Sequence, residues 1–421
     1  MSSGASTSKG RLLRILVVSQ YFWPETFRVN EIVSELSARG HEVTVLTGRP
    51  NYPEGVIQAN FLEKPESFSH YAGAQVLRVP LRPRGTGSLR LLLNYWSFVF
   101  WGCMLGPWLL RGQRFDAIFV FETSPITSAL PAILLKWIKR APLSMWVLDL
   151  WPDTLRAVGM VKSDRAFNLI GRLCSFIYKH CDLILGQSQA FSEPIRRWTG
   201  TTKKFRYFPA WSEETFDVAH SSCTPAAELE SHQNHFNIVF AGNVGEAQDF
   251  PAILRAAQLT QHRPDIHWLI IGDGRGAPQV RTEIQRLNLA STVFLLGRFP
   301  VDRMPSFFAS ADALLVSLKP DPIFSMTIPG KVQSYLASGK PLLGMLDGEG
   351  ARVIRDASAG LVAAAGDAVG LAQHALQLAD LDAAKRQLMG LRGRQYGETH
   401  FKRSALMNQL EQWLTNPLPD D

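Results

Sequence analysis

The residues best suited to chemistry lie in Pro322–Gly350, PIFSMTIPGKVQSYLASGKPLLGMLDGEG. Pro329-Gly330 opens a predicted short helix, with Lys331 in its first turn. Free N–H groups at such a helix start, joined by a lysine, suit an anion such as a phosphate. The plainer reading of Lys331 is an exposed first-turn lysine. Glu349, between glycines in DGEGA, reads either as a ligand contact or as a solvated loop acid. Gly242-Asn243 follows one apolar run, and Gly272-Asp273-Gly274 follows another. Glycine there lets a ligand approach the backbone closely, although a plain strand-end turn would look the same. Arg298, in LLGRF, reads equally as a second cation for the anion and as a surface residue.

The first half offers carboxylates at strand ends. Pro24, Glu25 and Thr26 form one loop, and Asp149, in LDLWPD, lies at another strand end. In doubly wound sheets, ligands bind beyond the carboxyl ends of the strands. Asp149 reads as a base or as a residue that orients a hydroxyl. Asp153 reads as a helix cap, Trp151 as core packing and His41 as structural. The four cysteines, Cys103, Cys174, Cys181 and Cys223, form no CxxC pair. That spacing argues against a zinc site and against a disulfide framework, and fits a reducing cytoplasm.

Positioning these residues requires alternating strands and helices. Ile15–Val18, a helical pattern through Leu36, and GHEVTVLTG make a βαβ unit without the GxGxxG fingerprint. Further strands are expected at Ala117–Phe121, Leu143–Leu148 and Leu183–Gly186. After a polar, turn-rich stretch the pattern restarts at Phe236–Ala241 and repeats through HWLIIGDG, VFLLG and ALLVSL. The expected class is α/β, with two doubly wound Rossmann-like domains. The expected order is a disordered leader at 1–12, a first domain at 13–210, a linker at 211–235 and a second domain at 236–398. A helix in 399–421 is expected to pack back on the first domain.

The chain has 421 residues, 46% hydrophobic and 19% charged, enough for two cores. Its net charge of +7 fits phosphorylated ligands or an anionic membrane face; no nucleic-acid motif accompanies it. Leu91–Leu110, LLLNYWSFVFWGCMLGPWLL, is long enough to cross a bilayer. A single crossing would part strands of one sheet, and arginines flank both ends. The segment within 88–112 is therefore expected to dip into the membrane surface, the alternative being a fully buried helix.

Several segments in order, among them SQYFWPETFRVNEIVSELSARGHEVTVLTG, VLDLWPDTL, FAGNVGEAQ, IIGDG and TIPGKVQSYLASGKPLLGMLDGEGA, resemble glycosyltransferase family 4. The nearest branch builds bacterial O-antigen, capsule and colanic-acid-type polysaccharides, and includes fucosamine transferases. The resemblance implies a GT-B architecture, two such domains facing across a cleft. It implies a metal-independent, usually retaining enzyme without a cofactor, working on the cytoplasmic side of the inner membrane. A nucleotide sugar, UDP-linked rather than GDP-linked, would bind the second domain through Gly242, Asn243, Gly272, Gly274, Arg298, Gly330, Lys331, Ser334 and Glu349. Lys331 would stabilise the departing diphosphate and Asp149 would act on the acceptor. A lipid-linked saccharide would meet Pro24, Glu25 and Thr26. The sequence departs from the family in two places. Asn243 stands where an arginine is usual. Met326 and Ser334 stand where two glutamates are usual, leaving ribose binding to Ser334 or Gln333. A GT-B epimerase and a non-catalytic sugar-nucleotide binder are the alternatives.

Overall fold

A computed structural model describes residues 11–85, 87–157, 159–212 and 223–416. It contains two compact units. One runs to Gln187 and adds Phe191–Phe208 and the chain from Leu406. The other comprises Ser188–Ala190 and Pro209–Ala405. Part of the expected linker lies outside the described residues.

The first unit holds an eight-stranded sheet of β1 (Arg14–Val18), β2 (Glu42–Gly48), β3 (His70–Tyr71), β4 (Ala74–Val79), β5 (Ala117–Glu122), β6 (Leu143–Val147), β7 (Leu183–Gly186) and β8 (Phe205–Tyr207). Its order is β3-β4-β2-β1-β5-β6-β7-β8. Every pairing is parallel except β3 with β4. The strands are nearly continuous apolar runs, as a sheet covered on both faces requires.

The helix Ser88–Leu109 docks on this sheet through one face only. Tyr95, Phe98 and Val99 are buried, and so is Asn94. Asn94 is the one polar residue in LLLNYW, and it pins the helix to the end of β1. Its Oδ1 accepts from Gln20 Nε2 at 2.7 Å, and its Nδ2 donates to the Arg82 carbonyl at 2.6 Å. The opposite face is exposed, with Leu89 70%, Phe100 56%, Met104 62% and Trp108 59% accessible. The fully buried alternative is therefore corrected. A uniformly apolar run has no periodicity to say which side faces the core. No helix among the described residues is long and apolar enough to cross a membrane.

The helix Arg403–Thr415 buries Leu406, Met407, Leu410 and Leu414. Glu411 pairs with Arg39 at 3.0 Å, and the Trp413 ring meets Phe208. His41 accepts from the Leu13 amide through Nδ1, a structural role.

The second unit holds β9 (Phe236–Ala241), β10 (Ile266–Ile271), β11 (Val293–Gly297), β12 (Ala313–Ser317), β13 (Leu342–Met345) and β14 (Gly360–Ala363), in the order β11-β10-β9-β12-β13-β14. All pairings are parallel. The order reverses at β9 and β12, which makes their carboxyl ends a topological switch point.

At the opposite edge of this sheet His232 Nδ1 lies 2.8 Å from His267 Nδ1, and His235 stacks on His267 at 3.7 Å. One Nδ1 must donate and the other accept, so protonating both breaks the contact. Burial first, then the neighbouring histidines, lowers the His267 pKa from 6.5 to about 4. The neutral form is the native one. The stability it confers is complete above pH 6.5 and is lost as pH falls towards about 4. Melting curves across that window should show a falling midpoint, and His267→Gln should flatten the fall. An unchanged pH slope would contradict the assignment.

Candidate active site

At the switch point, the strand ends lock together through backbone hydrogen bonds. The Gly242 amide donates to Ile271 O at 2.8 Å, Val244 N to Asp273 O at 2.9 Å, and Gly272 N to Gly297 O at 2.7 Å. Gly272 has φ of 137°, and a Cβ there would sit 1.8 Å from the Gly242 carbonyl oxygen. Only glycine fits that approach.

The helix Gly330–Ala337 is tied to this edge by Tyr335. Its hydroxyl accepts from Ala241 N at 3.0 Å and lies 3.2 Å from Ala241 O. That anchor sets Lys331 beside Gly242, where a Cβ on the glycine would meet the lysine Cε at 2.6 Å. Lys331 Nζ is buried without a hydrogen-bond partner, 3.4 Å above the centre of the Phe240 ring. Burial lowers its pKa from 10.5 to about 7. The exposed-lysine reading of Lys331 does not hold. A desolvated ammonium with only an aromatic face for company is costly to keep and free to meet an incoming anion.

The other expected residues of this unit divide. Gly242, Asn243, Gly272, Gly274 and Gly330 stand on the same edge, with Asn243 exposed. Ser334 is buried on the Lys331 side of its helix, and its Oγ lies 3.5 Å from the Gly330 carbonyl. Gln333 faces a different surface and lines a cavity of about 270 Å³ with Ala337, Arg394 and Phe401. Glu349 pairs with Arg352 through both oxygens, at 3.0 and 3.1 Å. It is an ion-paired acid, not a solvated one. Arg298 is exposed at the end of edge strand β11, two strands from β9 and so about 10 Å away. Lys319 was not singled out by the sequence reading. It lies two residues past β12, and its Nζ pairs with Glu246 of the β9 loop at 2.7 Å. The strand-end rule that singled out Gly242 also applies to Lys319.

In the first unit Asp149 follows β6. Its Oδ2 accepts from Trp151 Nε1 at 3.2 Å, and the same N–H reaches Ser124 Oγ at 3.1 Å. Trp151 therefore orients the carboxylate as well as packing. Ser124 holds φ of 102°, a region costing about 1–3 kcal/mol for a residue with a side chain. Burial raises the Asp149 pKa above 3.8, against hydrogen bonds from Thr154, Ser124 and Trp151. Beneath it lies Glu122, the last residue of β5 and completely buried. Burial first, and then the Asp149 charge, raises the Glu122 pKa well above 4.5. Glu122 escaped the sequence reading because it ends the apolar run AIFVFE, 27 positions before Asp149.

The Pro24–Thr26 loop lies beyond β1, with Thr26 exposed and Pro24 half-buried. Glu25 is only 3% exposed. Its Oε1 accepts from the Asn51 and Tyr52 amides at 2.7 Å each, and its Oε2 from Phe22 N at 3.1 Å. The structure gives Glu25 the role of a brace between two loops instead of a contact to acceptor hydroxyls.

Residues 26–211 match the family described as Glycosyl transferase 4-like domain, and residues 235–380 match Glycosyl transferases group 1. The chain is 24% identical over 347 residues to WcaI of Escherichia coli (strain K12), named as a colanic acid biosynthesis glycosyl transferase. That alignment spans 78% of this chain and 82% of WcaI. The fold resembles Anabaena HepE solved with UDP and glucose, with TM-score 0.67 and 16% identity over 96% of this chain and 100% of HepE. It also resembles sucrose-phosphate synthase from Thermosynechococcus elongatus, with TM-score 0.70 and 15% identity over 96% and 98% of the two chains.

Proposed function

This chain is a glycosyltransferase of GT-B fold, with a family 4-like domain followed by a group 1 domain, and from that premise we propose that it moves a sugar from a nucleotide-sugar donor to a lipid-linked saccharide in bacterial surface polysaccharide synthesis. The carrying observation is Lys331, a buried cation without a counter-ion at a helix start on the glycine-lined switch point. A departing diphosphate fits that place, since its charge would meet Lys331 and the backbone amides opening the Gly330–Ala337 helix. Asp149 meets the acceptor hydroxyl at the strand ends of the first unit. The donor is a UDP-sugar, such as a UDP-linked deoxyaminosugar of the N-acetylfucosamine type, in preference to a GDP-sugar. Transfer proceeds with retention and needs no metal ion. The epimerase and non-catalytic alternatives are not favoured by the family matches.

A thermal-shift panel of UDP, GDP and their sugars tests the donor, because a ligand that binds only the native state raises the melting point. The expected result is a rise with UDP and one UDP-sugar, followed by transfer to a lipid-linked saccharide. No rise with either nucleotide would overturn the reading.

The exposed face of Ser88–Leu109 supports a place on the cytoplasmic surface of the inner membrane. Trp96, Trp101 and Trp108 are 46%, 37% and 59% accessible, and Arg82, Arg84, Arg90, Arg111 and Arg114 flank the helix. Indole rings between arginines suit the headgroup region of an anionic bilayer. The wild-type protein is expected to float with anionic liposomes, and the change of all three tryptophans to Ser to abolish most of that binding. Flotation unaffected by the change would remove the membrane role.

A further inference from the structure

Glu122 and Asp149 form a carboxyl pair at the ends of adjacent strands β5 and β6. Glu122 has no exposed surface, and its Oε2 accepts weakly from the Asp149 amide at 3.4 Å. Its Oε1 makes no hydrogen bond, and neither do the buried Tyr178 hydroxyl and Thr127 Oγ1. Besides Asp149, the groups that sense Glu122 electrostatically are Cys174 and Tyr178 on the helix Asp164–His180 and Tyr95 on the helix Ser88–Leu109. Two ionised carboxylates so placed would repel each other in a poorly solvated setting, and one of them must give way. The more accessible Asp149 has three donors to hold its charge, from Trp151, Ser124 and Thr154. The backbone amides of Asp149, Ser124 and Leu148 also favour a charged Glu122, but its complete burial outweighs them, and its Oε1 has no hydrogen bond.

We propose that Glu122 is a positioning residue for sugar transfer: it stays a neutral carboxylic acid behind Asp149 and leaves Asp149 as the single ionised member of the pair. The proton sits on Oε1, the oxygen that makes no hydrogen bond. Asp149 then meets the acceptor hydroxyl as a fixed carboxylate. The acceptor oxygen bonds to the sugar carbon on the same face that the diphosphate leaves, as retention requires; the bond from that carbon to the diphosphate breaks, its electron pair leaves with the diphosphate, and the hydroxyl proton passes to Asp149. A second charge on Glu122 would raise the proton affinity of Asp149 before the acceptor arrives, so the pair titrates as a unit. The direction of the Glu122 shift, well above 4.5, agrees with the geometry. The assignment rests on the reading that the first unit takes the acceptor.

The test compares wild type with Glu122→Gln, which keeps a neutral hydrogen-bonding group of the same shape. Infrared spectra of the whole protein should show a protonated-carboxyl band near neutral pH that is missing in the variant. Turnover of the variant at neutral pH should stay within a few-fold of wild type. With the donor saturating, so that weakened binding through Lys331 does not enter, the wild-type turnover should fall at alkaline pH as Glu122 ionises, and the variant should not show that fall. A carboxylate that merely braces the loops predicts the reverse: no protonated band, and a variant crippled at every pH. Either result overturns the proposal. Should the variant not fold, a pH titration of the wild-type band decides alone, and its loss near the ordinary glutamic acid range would refute the assignment. The infrared arm reads the proton without any turnover. A band that behaves as expected in a protein that transfers no sugar would therefore sink the transferase reading and Glu122's role in transfer, while leaving the proton in place.

Discussion

Exchanging Lys331 for methionine should lower sugar transfer by about two to three orders of magnitude, the usual loss when one preorganised donor to a developing anion is removed. The same change should raise the melting temperature of the unliganded protein by a few degrees. The two effects have one cause. Lys331 Nζ is buried against Phe240 without a counter-ion, so the folded protein carries a desolvation cost that methionine of similar shape does not. A lysine in a structural ion pair would give the opposite stability result.

The pH dependence follows from the same burial. The folded pKa of about 7 lies below the unfolded 10.5. Between these values the unfolded chain binds more protons, so stability rises with pH across that window. The stability gap between wild type and Lys331→Met should be widest at or below pH 7 and should close towards 10.5. Diphosphate binding needs the ammonium form. Binding above about pH 7 should therefore take up a proton, and affinity should weaken as pH rises. In Lys331→Met both dependences should vanish. Calorimetric titration in buffers of different ionisation enthalpy measures the uptake, and a wild-type protein that takes up no proton would argue against the assignment.

Asp149→Asn should cost about 10²–10⁴ in turnover, the span typical of a lost general base. It should leave nucleotide binding unchanged, since Asp149 lies in the first unit and the donor groups in the second. The amide keeps the shape but turns a donor group towards neighbours that are themselves donors, above all Trp151 Nε1. Burial holds the Asp149 pKa above 3.8, so the wild-type rate should fall on acidification as that carboxylate is protonated. The residual rate of the variant should lack this acidic limb. A variant with wild-type turnover would remove Asp149 from the reaction.

The fold was legible because its strands are apolar runs separated by turn residues, a signal that survives in one sequence. Lys331 and the glycines were legible because helix starts and strand ends carry local signatures. The rest depends on burial, which sequence does not display. Glu25 reads as a loop carboxylate free for a ligand, yet three amides from two loops enclose it. Glu122 reads as the tail of a strand, and only the pairing of β5 with β6 sets it beneath Asp149. Trp151 reads as packing until its N–H is seen on Asp149. Asn94 looks like an intrusion in an apolar run, and becomes intelligible as the pin that holds one face of its helix to β1.

The most direct test of the donor site is equilibrium binding of UDP, UMP and uridine, with the GDP series alongside, to wild type and Lys331→Met. Wild type should bind the diphosphate much more tightly than the monophosphate or nucleoside, and the variant should lose most of this preference while still binding the nucleoside. A variant that holds the diphosphate as tightly as wild type does would contradict it.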